Sequence, residues 1–133
     1  MKAKSIPPIE IVSVEGIVAV RQKVRELATD MGFGAVDQTR IATAVSELAR
    51  NIYQFAGKGM VTIFSLGGDH KGIQIVCEDN GPGIADIELA MTDGYSTVKS
   101  LGLGLPGAKR LMDEFQIESE PGKGTKVTIT KWL

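Results

Sequence analysis

The 133-residue chain has one cysteine, one histidine and one tryptophan. No apolar run approaches the roughly 18 residues that a membrane-spanning helix needs. A single cysteine, Cys77, excludes an internal disulfide and suits a reducing cytoplasm. Its place in an apolar strand marks it as an inert core thiol. The single histidine, His70, lies in Gly67-Gly68-Asp69-His70-Lys71-Gly72, which reads as a hairpin turn. Nothing around it supplies partners for a phosphoacceptor or metal role. Formal net charge is −1, so no global field draws nucleic acid. The basic start, Met1 to Ser5, is followed by no apolar stretch with a cleavage site, and it reads as a short solvated arm. A Walker A loop is absent, and no dinucleotide fingerprint follows the first strand. These absences set expectations of no membrane, no nucleic acid and a cytoplasmic location. With 43% hydrophobic residues the chain is long and apolar enough to fold as one domain, 1–133.

Periodicity supplies the elements. Ile9 to Val14 alternates as a strand, after the Pro7-Pro8 pair. A helix spans about 15–31, with Ile17, Val20, Val24, Leu27 and Met31 recurring at steps of three and four, and Gly32-Phe33-Gly34 stops it. Asp37 is the expected N-cap of a second helix, about 38–56, with a buried stripe of Ile41, Val45, Leu48, Ile52 and Phe55. Strands follow at about 60–66 and 72–79. A short helix, 86–91, leads into a loop, 92–101, and a helix runs from 104 to 115. Two strands, 115–120 and 124–132, flank Gly122-Lys123-Gly124. Strands pair as neighbours and the helices are amphipathic. The expected fold is an α+β two-layer sandwich, a mixed, mostly antiparallel sheet covered on one face by helices.

Four constellations carry chemistry. Glu47 and Asn51 lie four apart on one helical face, with Arg50 near them, at the rim of the apolar stripe. An amide oxygen suits Mg²⁺, and a carboxylate one turn away suits proton abstraction from a hydroxyl. A solvated face with a Glu47–Arg50 pair is the plainer alternative. Asp79 shares a strand face with Ile73, Ile75 and Cys77. A carboxylate there needs a donor, such as an adenine amine, and Gly81 and Gly83 clear space for a flat base. A turn capped by Asp79 accounts for the same residues. From Thr92 to Gly107, Ser96, Thr97 and Ser100 offer hydroxyls, Lys99 a charge, and Gly102 and Gly104 bare backbone before a helix N-terminus that favours anions. Gly122 to Thr125 is by itself a tight hairpin, and its weight comes from following that helix.

These motifs, in this order, resemble the GHKL superfamily of gyrase, Hsp90, histidine kinases and MutL, over about residues 10–133. The Glu47–Asn51 helix resembles its N-box, Asp79 to Gly83 its first glycine box, Gly102 to Gly107 its second, and Gly122 to Thr125 its closing glycine-threonine element. The resemblance implies the Bergerat, histidine-kinase-like ATPase fold, with ATP and Mg²⁺ as cofactors. Glu47 would be the base and Asn51 the Mg²⁺ ligand. Arg50, Asp79, Gly81, Gly83, Ile84, Ser96, Thr97, Gly102, Leu103, Gly104, Leu105, Gly107 and Thr125 would join Asn51 in binding the nucleotide. The runs Ser46 to Tyr53 and Gly102 to Phe115, with the closing Lys131-Trp132, look like the stressosome switch kinases within this superfamily. That family implies a serine/threonine kinase that phosphorylates STAS-domain scaffold proteins and then binds and activates a serine phosphatase. Two alternatives stand beside it: an anti-sigma-factor kinase that holds a sigma factor, and a nucleotide-gated binding module without significant catalysis. Phe55-Ala56 departs from the His-Gly usual in anti-sigma kinases.

Overall fold

A computed structural model of the chain describes residues 3–83 and 104–133. Strand β1 (Ala3–Ile11) leads into helices α1 (Val14–Met31) and α2 (Ala35–Asn51), and a π-helical turn, Ile52–Ala56, ends α2. Strands β2 (Gly59–Leu66) and β3 (Gly72–Asp79) follow. Helix α3 (Gly104–Leu111) precedes β4 (Glu114–Glu120) and β5 (Gly124–Trp132). The expected short helix at 86–91 and loop at 92–101 lie outside the described residues.

The five described strands form one sheet, in the order β1-β2-β3-β5-β4. Every described pairing is antiparallel. The expected two-layer sandwich is therefore present, and among the described residues its sheet is antiparallel throughout. Alternation sorts the strands into two faces. Val61 and Ile63 of β2, Ile73, Ile75 and Cys77 of β3, and Val127 and Ile129 of β5 are buried under the helices. Met60, Glu78 and Lys126 fall on the other side, with Met60 and its neighbours in register across three strands. Helix α1 buries Ile17, Val20, Val24 and Ala28, and α2 buries Ile41, Val45, Leu48 and Ile52 at its end. Each such side chain contributes roughly 1.5–3 kcal/mol.

Four boundaries differ from expectation, each for a physical reason. Strand β1 starts before the prolines, at Ala3, and ends at Ile11 rather than Val14. It is an edge strand, where a missing N–H is tolerated, and its register shifts between Ile6 and Ile9 to pass Pro7 and Pro8. The cap of α2 is Gly34, and Asp37 falls inside the first turn. Gln38 already donates its N–H to Gly34 O at 2.9 Å, so the helix begins three residues earlier than the aspartate suggests. Helix α3 stops at Leu111. Asp113 N–H bonds Thr130 O at 3.0 Å, and Phe115 pairs with Ile129, so the sheet claims the segment. Phe55 is 50% exposed and leaves the buried stripe of α2.

Candidate nucleotide site

The last departure locates the site. After Asn51 the backbone widens into the π-turn, closed by Gly57 N–H on Ile52 O at 2.9 Å. Such turns are rare and frequently mark functional positions. Ile52 still packs inward. Phe55, inside the wider turn, leaves the core and is exposed. Ala56 is delivered against the turn after β3, where a Cβ on Gly81 would lie 2.6 Å from Ala56 Cβ. Gly59, the partner of Asp79 in the sheet, lies under Ile52 in the same way. The end of α2 thus rests directly on the end of β3.

Glu47 is buried at 5% exposure, and Arg50 Nη1 donates to its Oε2 at 2.8 Å. Arg50 is more open, at 36%. Pairing with the guanidinium compensates part of the carboxylate's desolvation and fixes its direction. Asn51 is half-buried at the last α-helical position. Asp79 is also half-buried, on the face of Ile75 and Cys77 as its alternation predicts. Gly81 N–H donates to Asp79 Oδ1 at 2.9 Å. The turn-capping role and the inward position are both real, and they occupy one carboxylate.

The β4–β5 hairpin completes this end of the sheet. Gly122 N–H donates to Pro82 O at 2.7 Å. Two glycines make the approach possible: a Cβ on Gly83 would overlap Glu120 O, and one on Gly124 would overlap Asp79 O. Both have positive φ, +76° and +93°, which only glycine adopts readily. Thr125 is the register partner of Asp79, and Ser119 of Thr125. Ser119 Oγ lies 2.8 Å from Thr125 Oγ1 and donates to Gly124 O at 3.0 Å. An open recess of about 290 Å³ runs around this end of the sheet, reaching Asp79, Ser119 and Thr125 but lined as well by Glu78, Glu118 and Lys126 of the face away from the helices.

Helix α3 supplies the remaining side. Its last carbonyl, Leu111 O, accepts from Lys131 Nζ at 3.2 Å, and Lys131 also lies 3.8 Å from Asp37 in the first turn of α2. The end of α3 therefore sits by the start of α2. Since α3 packs along α2, its N-terminal turn points toward the Asn51 end. Gly104 has φ +67°, and among the described residues a Cβ there would meet only Pro106 Cδ, at 3.8 Å. Leu105 packs on the core, and Gly107 is buried.

The structure thus gathers Glu47, Arg50, Asn51, Asp79, Gly81, Gly83 and Thr125 at one end of the sheet and aims Gly104, Leu105 and Gly107 toward them. Ile84, Ser96, Thr97, Gly102 and Leu103 lie outside the described residues, as do Lys99 and Ser100. Phe55 and Ser119 were missed by sequence reasoning. Alternation across a hairpin places Ser119 beside Thr125 and could have found it. Nothing in helical periodicity could have found Phe55.

The donor set is compatible with ATP and Mg²⁺. No cluster of three His, Cys, Asp or Glu capable of holding a metal exists among the described residues. Mg²⁺ at such a site takes its ligands from an amide or carboxylate, phosphates and water, and Asn51 is such an amide. Cys77 adds no nucleophile. Burial, then the nearby Glu78 and Asp79 carboxylates, push its thiol up to about 12.

Residues 36–133 match the family described as histidine kinase-, DNA gyrase B-, and HSP90-like ATPase. The serine/threonine-protein kinase RsbT of Bacillus subtilis is 53% identical over 126 residues, which cover 94% of this chain and 95% of that one. An anti-sigma F factor of Caldanaerobacter subterraneus is 40% identical over 99 residues, 70% of this chain and 68% of the relative. Among solved structures, the RsbU and RsbW domains of a Mycobacterium tuberculosis protein superpose with a TM-score of 0.65 at 23% identity, over 95% of this chain and 32% of that one. The mycobacterial sensor histidine kinase MprB superposes at 0.57 and 19% identity, over 94% and 95%. The two superpositions bear on the fold alone.

Proposed function

Because the chain belongs to the histidine kinase-, DNA gyrase B-, and HSP90-like ATPase family, we propose that it is an ATP- and Mg²⁺-dependent protein serine/threonine kinase that works as a partner switch. Its substrates are STAS-domain stressosome proteins, and on release it binds and activates a serine phosphatase in the cytoplasm. The carrying observation is the buried, Arg50-oriented Glu47 one turn from Asn51. A module that only held nucleotide would have no use for a carboxylate kept there at the cost of desolvation. The near full-length likeness to a serine/threonine-protein kinase supports the same reading.

Each residue then has a task. Asn51 would offer its amide oxygen to a bound Mg²⁺. Asp79 accepts from the nucleobase amine, while Gly81 and Gly83 keep the base edge clear of side chains. Phe55, exposed one turn past Asn51, gives a flat apolar surface beside it. Gly104 opens α3, whose N-terminal N–H groups would meet the anionic oxygens of a bound nucleotide. When bound, ATP with Mg²⁺ supplies the γ-phosphoryl group and neutralises its charge. The acceptor hydroxyl gives its proton to Glu47 as its oxygen bonds to the γ-phosphorus, and the bond from that phosphorus to ADP breaks.

The test is transfer of radiolabelled γ-phosphate to a purified STAS-domain protein from the same organism. Glu47→Ala should lower the rate by about 10²–10⁴-fold while ATP still binds. Wild-type rates in that variant would remove Glu47 from the chemistry. No transfer at all, with ATP bound, would favour the anti-sigma reading that the 40% relative supports, and a sigma-factor pull-down would then decide.

A further inference from the structure

A phosphate tail is a polyanion, yet the described residues gathered at the site include two carboxylates, Glu47 and Asp79, and one cation, Arg50. Arg50 is also the more movable member of its pair. Its side chain is 36% exposed against 7% for Glu47, and its Nη1 donates to Glu47 Oε2 at 2.8 Å. The carboxylate is held within the packed face of α2, while the guanidinium ends a long, flexible stem. Helix geometry sets what that stem can reach. Steps of three and four residues place Arg50 and Asn51 on either side of Glu47, one turn along the helix. Asn51 is the proposed Mg²⁺ ligand, so phosphates held through that metal come to the same helix end as Arg50.

From this we infer that Arg50 senses the terminal phosphate. It exchanges the Glu47 carboxylate for the γ-phosphate oxygens when a nucleoside triphosphate binds, and it keeps Glu47 when a diphosphate binds. A phosphate carries more charge than a carboxylate and accepts two parallel N–H bonds from one guanidinium. Leaving Glu47 takes a charge-assisted bond from a buried carboxylate, which costs free energy. The γ-phosphate offsets that cost. ADP has no such group, so Arg50 stays where the structure places it. Glu47 thereby competes with the γ-phosphate for Arg50. Removing the Glu47 charge strengthens ATP binding through Arg50 and leaves ADP binding alone.

The inference rests on the nucleotide site proposed above, and binding measurements separate the two. Dissociation constants for ATP and ADP, each with Mg²⁺ and without acceptor protein, are measured by calorimetry for the wild type, Arg50→Ala, Glu47→Gln and the Glu47→Gln/Arg50→Ala double variant. Arg50→Ala should weaken ATP by about tenfold, the worth of one charge-assisted bond, and ADP by less than about twofold. Glu47→Gln keeps the shape of the side chain and removes its charge, so it should tighten ATP relative to ADP by about fivefold. In the Arg50→Ala background the same change should leave the ratio unaltered. Contacts of Glu47 with groups other than Arg50 are present in both backgrounds and cancel. ATP and ADP weakened alike in Arg50→Ala, or a Glu47→Gln gain that persists without Arg50, would overturn the exchange and leave Arg50 a fixed support of Glu47. A wild type that binds neither nucleotide would overturn the site as well.

Discussion

Strands β3 and β5 are neighbours along their whole length, yet their two ends are built from different materials. At Asp79 and Thr125 the contacts are made by backbone. Glycines 59, 81, 83 and 124 bring main chain against main chain or against the Ile52 and Ala56 side chains. At Gly72 and Trp132 a single glycine lies close to main chain, at Lys131 O, and the fastening contacts are made by charged and aromatic side chains. Lys131 Nζ reaches Leu111 O, Asp113 at 3.4 Å and Asp37 at 3.8 Å. Trp132 donates its backbone N–H to Asp113 at 2.7 Å and its indole N–H to Glu114 at 2.6 Å, and stacks on His70 with ring centroids 4.6 Å apart. The difference teaches a division of labour. The Asp79 end excludes side chains and leaves strand backbone and a few polar groups within reach. The far end uses long side chains to fasten α2 and α3 to the sheet.

Breaking the backbone end should have the largest effect. Gly124→Ala places a methyl on Asp79 O at φ +93° and should cost about 3 kcal/mol or more, with loss of nucleotide binding. Gly122→Ala shares the positive φ, +79°, but has nothing within 4 Å, and strain of about 1–2 kcal/mol is expected. Urea midpoints compare the pair, and equal shifts would remove the argument from close approach. Breaking the side-chain end is milder. Lys131→Met should cost about 1–2 kcal/mol, because Asp37 and Asp113 are 35% and 40% exposed and water can take over. ATP affinity should stay within about twofold, since the change lies far from the site. A larger loss of ATP affinity would mean that the two ends are not separable.

The smallest effect belongs to Cys77, between the ends. Its thiol is raised from 9.0 to about 12, so the folded state holds the proton more tightly than the unfolded state. That contribution is complete below pH 9 and is lost as pH climbs from 9 toward 12. Wild-type stability should therefore fall faster than that of Cys77→Val above pH 9 and in parallel with it near neutrality. The native thiol should also resist alkylation at pH 8 until the chain is unfolded.

Most of the fold was legible because its signals are periodic. Ile17, Val20 and Val24 repeat at helical spacing, and Ile73, Ile75 and Cys77 at strand spacing, and burial follows both patterns. The fate of Phe55 was not legible, because a π-turn changes the period itself, and the Ala56–Gly81 approach beside it is a tertiary contact. Asp37 looked like a cap because aspartates favour caps, but it serves instead as an anion for Arg40 at 3.1 Å and for Lys131. Of the candidate site, the residues on regular elements or tight turns, such as Glu47, Asp79 and Thr125, could be placed by spacing.

Trp132 gives the molecule a built-in optical gauge. It is the only indole in the chain, and it sits at the far end of β5. A ligand at Asp79 would lie the length of an eight-residue strand away, about 23 Å. Any change in its emission on adding nucleotide would then report movement transmitted along β3 and β5 rather than contact, so one spectrum measures how stiffly the sheet joins its two ends.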